Sequence, residues 1–328
     1  MESQTHTHRR VLLQIKKCIQ KSDDFLITTH INPDGDCISS VLVFASLLKK
    51  IGKKYRILID DDIPKKFQFL PGVKEILRFG EQHEDFQAKT IVVLDTSHLE
   101  RIGNIREAIP QDAVIINMDH HTSNQNFGFS NAVDEKESST VEVVYELFRL
   151  FKISISPEVA TLVYTGIICD TGRFLFPNTT HRSLSICSDM IKKGASLDDI
   201  AENLYYRTSQ KTIRALATAL STIEFHFNGA VSCIHLSNGM LESNEKVETE
   251  GFVDHLMTIE GTEVEFIMVE KEPNLFRVSF RSKRYIDVNE IAKHFGGGGH
   301  TRAAGCSIRG SVEEVRDKIL HVLKSHLV

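Results

Sequence analysis

Apolar residues in the first half of the chain come in short, β-branched runs separated by stretches of helical spacing. Residues 25–29 form one such run, which ends at His30. From 36 to 50 the apolar positions are 38, 41, 42, 45 and 48, a spacing that predicts a helix closed by Gly52. Residues 55–59, 90–94 and 113–118 predict three more strands, and the last two end at Asp95 and Asp119. Strands alternating with helical segments predict an α/β fold built on a doubly wound, mostly parallel sheet. Ligands of such sheets sit outside the carboxyl ends of the strands. His30, Asp95 and Asp119-His120-His121 all fall at those ends.

Further helices are predicted over about 138–151, 157–168 and 180–193, with Asp170 just beyond the second. A helical connector over 196–222 then separates a first domain, 1–195, from a smaller α/β domain, 223–328. The second domain shows strand patterns near 230–236, 263–269 and 276–280. A helix over 287–295 precedes four consecutive glycines and His300, and a last helix covers 312–326.

Composition narrows the class. A length of 328 residues suits two domains, and 41% apolar with 25% charged residues is ordinary for a soluble globular protein. No run of 18 apolar residues predicts a membrane span. The polar start, with His6 and His8, lacks the apolar core of a secretory signal and reads as a frayed terminus, so a cytoplasmic location is expected. Cysteines 18, 37, 169, 187, 233 and 306 form no Cys-x-x-Cys pair, which fits reduced thiols and excludes a zinc knuckle. The net charge of −5 argues against a general duplex-coating protein. Between Arg277 and Arg309, however, seven basic residues face two acidic ones, a local balance suited to a small anion.

The chemistry lies in clustered acids and imidazoles. In His30-x-x-x-Asp34-x-Asp36, Pro33 and Gly35 permit a tight turn that aims two carboxylates into one space. Asp34 and Asp36 repel strongly unless cations lie between them. With Asp95, Asp119-His120-His121 and Asp170 the chain offers enough hard ligands for two divalent metals, a set suited to phosphate ester hydrolysis. Carboxylates and imidazoles without a thiolate favour Mn²⁺, with Mg²⁺ or Co²⁺ as substitutes. Cys37 and Cys169 read as small core filler. In the second domain, bare amides of Gly297, Gly298 and Gly299 can cradle a phosphate, and Arg281 can fork onto one. Ser282, Lys283, His300, Arg302 and, in the first domain, Arg101 are weaker candidates. A dinucleotide-binding reading of the glycines fails, because no strand-Gly-x-Gly-x-x-Gly-helix unit surrounds them.

These motifs, in this order, resemble those of the DHH phosphoesterase family. Gly296–His300 followed by Thr301-Arg302-Ala303-Ala304-Gly305 resembles the signature of the C-terminal domain associated with that family. Length and domain pairing are most similar to the NrnA-type nano-RNase and pAp phosphatase branch. RecJ-type exonucleases are usually longer, and family II pyrophosphatases carry a different second domain. The resemblance implies that His30, Asp34 and Asp95 hold one metal. Asp36, Asp95, His120 and Asp170 then hold the other, with Asp95 bridging. It also implies that His121 faces the phosphate, that Asp119 orients a histidine, and that the two domains close over the substrate. The expected activity is Mn²⁺-dependent hydrolysis of short oligoribonucleotides to nucleoside monophosphates and of 3′-phosphoadenosine 5′-phosphate (pAp) to AMP. Short single-stranded RNA or DNA and mononucleotides are the expected partners, without a membrane, and the reading allows a homodimer. Two alternatives stay open: a cyclic di-AMP or pApA phosphodiesterase, and a non-catalytic nucleotide sensor.

Overall fold

The computed structural model describes residues 2–80, 88–240, 247, 249 and 251–327. The chain divides into two compact units, 1–207 and 208–328, so the segment 196–222 expected as a connector is shared between them.

The first unit holds a sheet of six parallel strands. In chain order they are β1 (Phe25–Thr28), β2 (Tyr55–Ile59), β3 (Ile76–Arg78), β4 (Thr90–Leu94), β5 (Val114–Asp119) and β6 (Ser130–Val133). Their spatial order is β3-β2-β1-β4-β5-β6. From β1 the chain winds one way and from β4 the other, so β1 and β4 flank the switch point. Right-handed crossovers running in opposite directions place their connections on opposite faces. The side chains follow. Phe25 and Ile27, Val92 and Leu94, and Ile116 and Met118 enter one core. Leu26, Ile91 and Val93 enter the other. Helices cover the first face and the 3₁₀ segment Leu99–Ala108 helps cover the second.

The helices of this unit are α1 (Glu2–Lys21), α2 (Gly35–Lys50), α3 (Thr140–Phe151), α4 (Pro157–Asp170), α5 (His181–Lys192) and the short α6 (Leu197–Ala201). Their ends carry chemical signals. Asp34 caps α2, Ser156 caps α4 with Pro157 behind it, and Thr180 caps α5. Two expectations are corrected. The frayed terminus is a helix, because Leu12, Ile15 and Ile19 share a buried stripe below its polar start, and His8 lies 3.7 Å from Asp134. The side chain of His6 lies outside the described residues. Asp170 is the last residue of α4 rather than one beyond it.

The second unit opens with α7 (Gln210–Leu220) and builds its own six-stranded sheet. Its strands are β7 (Glu224–His226), β8 (Val231–Leu236), β9 (Val264–Glu272), β10 (Leu275–Ser282), β11 (Gly298–His300) and β12 (Ala303–Arg309). The order is β11-β12-β10-β9-β8-β7, with only β8 and β9 parallel. α8 (Val288–His294) and α9 (Val312–Lys324) pack on one face, where Phe266, Phe276 and Phe280 are buried. α7 and the turn Val253–Thr258 pack on the other.

Candidate metal centre

The residues singled out in the first unit converge at the carboxyl ends of β1, β4 and β5 and the start of α2. His30 follows β1 and is buried, and its Nδ1 donates to the Ile31 carbonyl at 2.8 Å. A carbonyl only accepts, so that bond fixes the tautomer and points the lone pair of Nε2 into the cluster. There Nε2 lies 3.4 Å from Asp95 Oδ2 and 3.9 Å from Asp34 Oδ2. Asp34 Oδ1 accepts the amides of Asp36 and Cys37, both at 3.0 Å, which leaves Oδ2 turned toward His30.

Asp95 lies at the centre. Its Oδ1 stands 3.8 Å from His120 Nε2 and 3.7 Å from His121 Nδ1, while its Oδ2 meets His30. Its backbone is left-handed (φ 54°), a region that aspartate tolerates better than most residues. His120 Nε2 reaches Asp170 Oδ2 at 3.3 Å. Asp36, fully buried, accepts the backbone amides of Thr140 at 2.6 Å and Val141 at 3.0 Å. It thereby caps α3 from another element, in place of Ser139, whose side chain makes no cap bond. Gly166 on α4 permits this approach, since a Cβ there would stand 2.7 Å from Val141 and 3.0 Å from Asp36 Oδ1.

Two sets of ligand atoms therefore form: His30, Asp34 and Asp95 with Cys37 beside them, and Asp36, His120 and Asp170. Asp95 also groups with His120 and His121, so it borders both. The set fits hard divalent cations on its own chemistry, because acceptor faces acceptor across gaps of 3.3–3.9 Å. The titration directions agree. Burial, then the charges of Asp95, Asp170 and Asp34, push Asp36 well above the carboxylate range. Burial pushes Asp170 up to about 7 despite the opposing charge of His120. Burial alone would raise Asp95 too, but the three imidazoles around it, His30, His120 and His121, outweigh burial and lower its carboxyl. Burial alone would pull His121 down, but the Asp119 bond and neighbouring carboxylates raise it to about 9. A space that drives Asp36, Asp170 and His121 toward protonation calls for positive charge.

Asp119 is fully buried and holds His121 Nδ1 at 2.7 Å, while its other oxygen accepts from Asn124 Nδ2 at 2.6 Å. Cys37 lies within ligand reach, but its thiol donates to the Asp34 carbonyl and burial raises it to about 11. Cys169 packs against Gly35, where a Cβ would stand 2.3 Å from its sulfur. Residues the sequence reading missed are Thr140, whose hydroxyl donates to Asp95 Oδ1 at 2.8 Å, and Asn178, whose amide binds the Asp170 carbonyl at 3.1 Å. The Ser138-Ser139-Thr140 string ahead of an apolar helix is an N-terminal signal, yet nothing local ties it to Asp95.

In the second unit the candidates are placed differently. Arg281, on β10, donates through Nε to Asp254 at 2.9 Å and through a terminal nitrogen to the Phe280 carbonyl at 3.1 Å. Ser282 is buried and gives its hydroxyl to the Ile286 carbonyl at 2.7 Å. Arg302 donates to the carbonyls of Ile286 and Arg284. Both therefore hold the 282–286 turn through its carbonyls. Gly298, Gly299 and His300 form β11 at the sheet edge, with Gly297 just ahead of it. A Cβ at Gly297 would stand 2.1 Å from the Gly305 carbonyl, and one at Gly299 2.5 Å from that of Ala303. Close passage of β12 requires those two glycines. Their amides bond to the Ala292 carbonyl and Asn289 Oδ1. A Cβ at Gly298 would meet only Asn289 Oδ1, at an ordinary 3.8 Å, and His300 is exposed.

Comparison with known proteins agrees with this geometry. Residues 24–167 match the model described as the DHH family, N-terminal domain, and residues 231–328 match the DHHA1 domain. A bifunctional oligoribonuclease and PAP phosphatase from Thermus thermophilus is 30% identical over 320 residues, covering 97% of this chain and 94% of the relative. A Bacillus subtilis protein of the same name is 29% identical, covering 90% and 92%. A solved exopolyphosphatase-related protein from Bacteroides fragilis superposes with a TM-score of 0.90 at 27% identity, over 97% of this chain and 98% of that one. Fold, cluster and relatives together define a hydrolytic enzyme of the phosphoesterase class. The chain belongs to the DHH family and carries a DHHA1 domain as its second module. Among the described residues, no helix is long and apolar enough to cross a membrane.

Proposed function

We propose that the enzyme hydrolyses short oligoribonucleotides to nucleoside monophosphates and pAp to AMP, with two divalent cations, Mn²⁺ foremost. The two relatives named above, both called oligoribonuclease and PAP phosphatase, support the substrate class. The observation that carries the reading is the position of Asp95 between two sets of acceptors. We assign His30, Asp34 and Asp95 to one cation and Asp36, Asp95, His120 and Asp170 to the other. When bound, the pair would supply charge for the phosphoryl oxygens and an activated water.

The chain's own groups do the rest. Asp119 fixes the His121 ring through Nδ1 and thereby sets the direction of Nε2. Nε2 of that imidazole can then face a phosphoryl or leaving oxygen. Thr140 keeps Asp95 in its left-handed pose, and Asn178 steadies Asp170. In the second unit, Arg281, Gly298 and His300 are assigned to substrate, with Ser282 and Arg302 supporting the turn beneath. The other glycines, 297 and 299, are assigned to the same phosphate cradle through the backbone path they permit.

The test compares initial rates on a labelled dinucleotide, a 24-mer, pAp and cyclic di-AMP, with Mn²⁺ and with chelator. Fast turnover of dinucleotide and pAp that vanishes in chelator is expected. Preference for cyclic di-AMP would establish the alternative phosphodiesterase, and binding without turnover would leave a sensor.

A further inference from the structure

The second unit carries its own ligand cluster, remote in sequence from every residue assigned above. β7 and β8 form an antiparallel hairpin in which Glu224 pairs with Cys233 and His226 with Val231. Alternation along the strands puts Glu224, His226 and Cys233 on one face. His226 Nε2 lies 3.3 Å from Glu224 Oε2 and 3.7 Å from Cys233 Sγ. The three ligand atoms lie within 4.8 Å of one another. A tetrahedral Zn²⁺ with bonds of about 2.0–2.3 Å sets ligand-to-ligand edges of roughly 3.3–3.7 Å. The observed nitrogen–oxygen separation is also longer than a good direct hydrogen bond, which ends near ~3.2 Å.

From this geometry we infer that the β7–β8 hairpin is a binding site for a thiophilic divalent cation of the Zn²⁺ class, held by Glu224, His226 and Cys233. The donor set differs in kind from the oxygen-rich cluster of the first unit, because a buried sulfur is one of three ligands. Arg316 on α9 donates to both Glu224 oxygens, at 3.0 and 3.2 Å, so the carboxylate is already oriented. The balance is simple: the cation takes the place of the thiol proton, which leaves to water, and solvent completes the coordination. The site is structural in its consequence, since it cross-links an edge strand of only three residues to its neighbour.

The experiment uses the full chain saturated with Mn²⁺, then titrated with Co²⁺ as the probe. A near-ultraviolet thiolate-to-metal band that Zn²⁺ removes is the expected result, independent of any Co²⁺ that exchanges into the oxygen-rich cluster. Cys233→Ser should abolish the band, while Cys37→Ser, at the other cluster, should retain it. Cys233 is buried, so Glu224→Gln and His226→Gln at less buried positions provide the second arm. Each should weaken Co²⁺ binding at least tenfold and leave dinucleotide turnover unchanged. Absence of a band, or a band lost in Cys37→Ser and kept in Cys233→Ser, would overturn the proposal. Undiminished binding by Glu224→Gln and His226→Gln would overturn it equally.

Discussion

Asp95 meets His30 through one oxygen and His120 through the other, so one truncation should disable both halves of the cluster. Asp95→Ala is expected to lower kcat/KM by at least about a thousandfold, roughly 4 kcal/mol of transition-state stabilisation. Elemental analysis should show fewer than two Mn²⁺ per chain, and two retained ions would refute the shared-ligand assignment. Thr140 acts through Asp95. Thr140→Val removes a hydrogen bond to a charged group, worth about 1.5–3 kcal/mol, and should cost roughly ten- to hundredfold in kcat/KM. Thr140→Ser keeps the hydroxyl and should restore most of it, whereas equal losses in both would mean that the methyl matters instead. The acids and imidazoles were legible in the sequence because each closes an apolar run or opens a helix. Thr140, Asn124 and Asn178 were not, because their partners lie 45, 5 and 8 residues away and only the fold selects them.

At the scale of elements, strands with alternating or fully apolar runs were readable, and β1, β2, β4, β5, β8, β9 and β10 fall where the pattern places them. The short strands β3, β6, β7 and β11 were not, since three or four residues at a sheet's margin bury too little to leave a period, and β12 was hidden by the small residues Ala303-Ala304-Gly305 at its start. The glycine run shows the cost of reading composition alone. Gly297 and Gly299 answer to the backbone of β12, whereas Gly298 does not. Gly297→Ala should therefore lower the melting temperature of the second unit by several degrees. Gly298→Ala should leave it within about a degree, and a kcat/KM loss in that variant would then report on substrate. Loss of stability in Gly298→Ala would refute the separation. On β9, Glu265 is fully buried, and burial raises its carboxyl to about 7 although Lys283 lies 3.3 Å away. A folded-state pKa above the unfolded value contributes stability below about pH 4.5, and that contribution is lost as pH rises through about 7. Glu265→Gln should thus be more stable than the native chain at pH 8, by roughly 1–3 kcal/mol, and the gap should close toward pH 5. Denaturant midpoints across that range test it, and a gap that widens toward acid pH would reverse the assignment.

The molecule as a whole carries a net charge of −5, while the stretch from Arg277 to Arg309 holds seven basic residues against two acidic ones. A protein that tracks a long polyanion displaces many counterions, so its affinity falls steeply with salt, with slopes on the order of −6 to −10 when as many phosphates are neutralised. The proposed substrate contacts, Arg281, Gly298 and His300, all lie within that stretch. Activity should therefore depend on one or two phosphates whatever the length of the strand. Dinucleotides to pentanucleotides are expected to turn over at least about tenfold faster than a 24-mer. The logarithm of kcat/KM for the dinucleotide should fall with the logarithm of salt at a slope of about −0.7 to −1.4, as for one or two neutralised phosphates of a single strand. Measuring both substrates from 50 to 300 mM salt decides the matter. A slope as steep as −6 on the 24-mer, with rates equal to those on the dinucleotide at low salt, would mean that the enzyme grips long strands. The assignment of substrate contact to Arg281, Gly298 and His300 would then be too small to account for its binding.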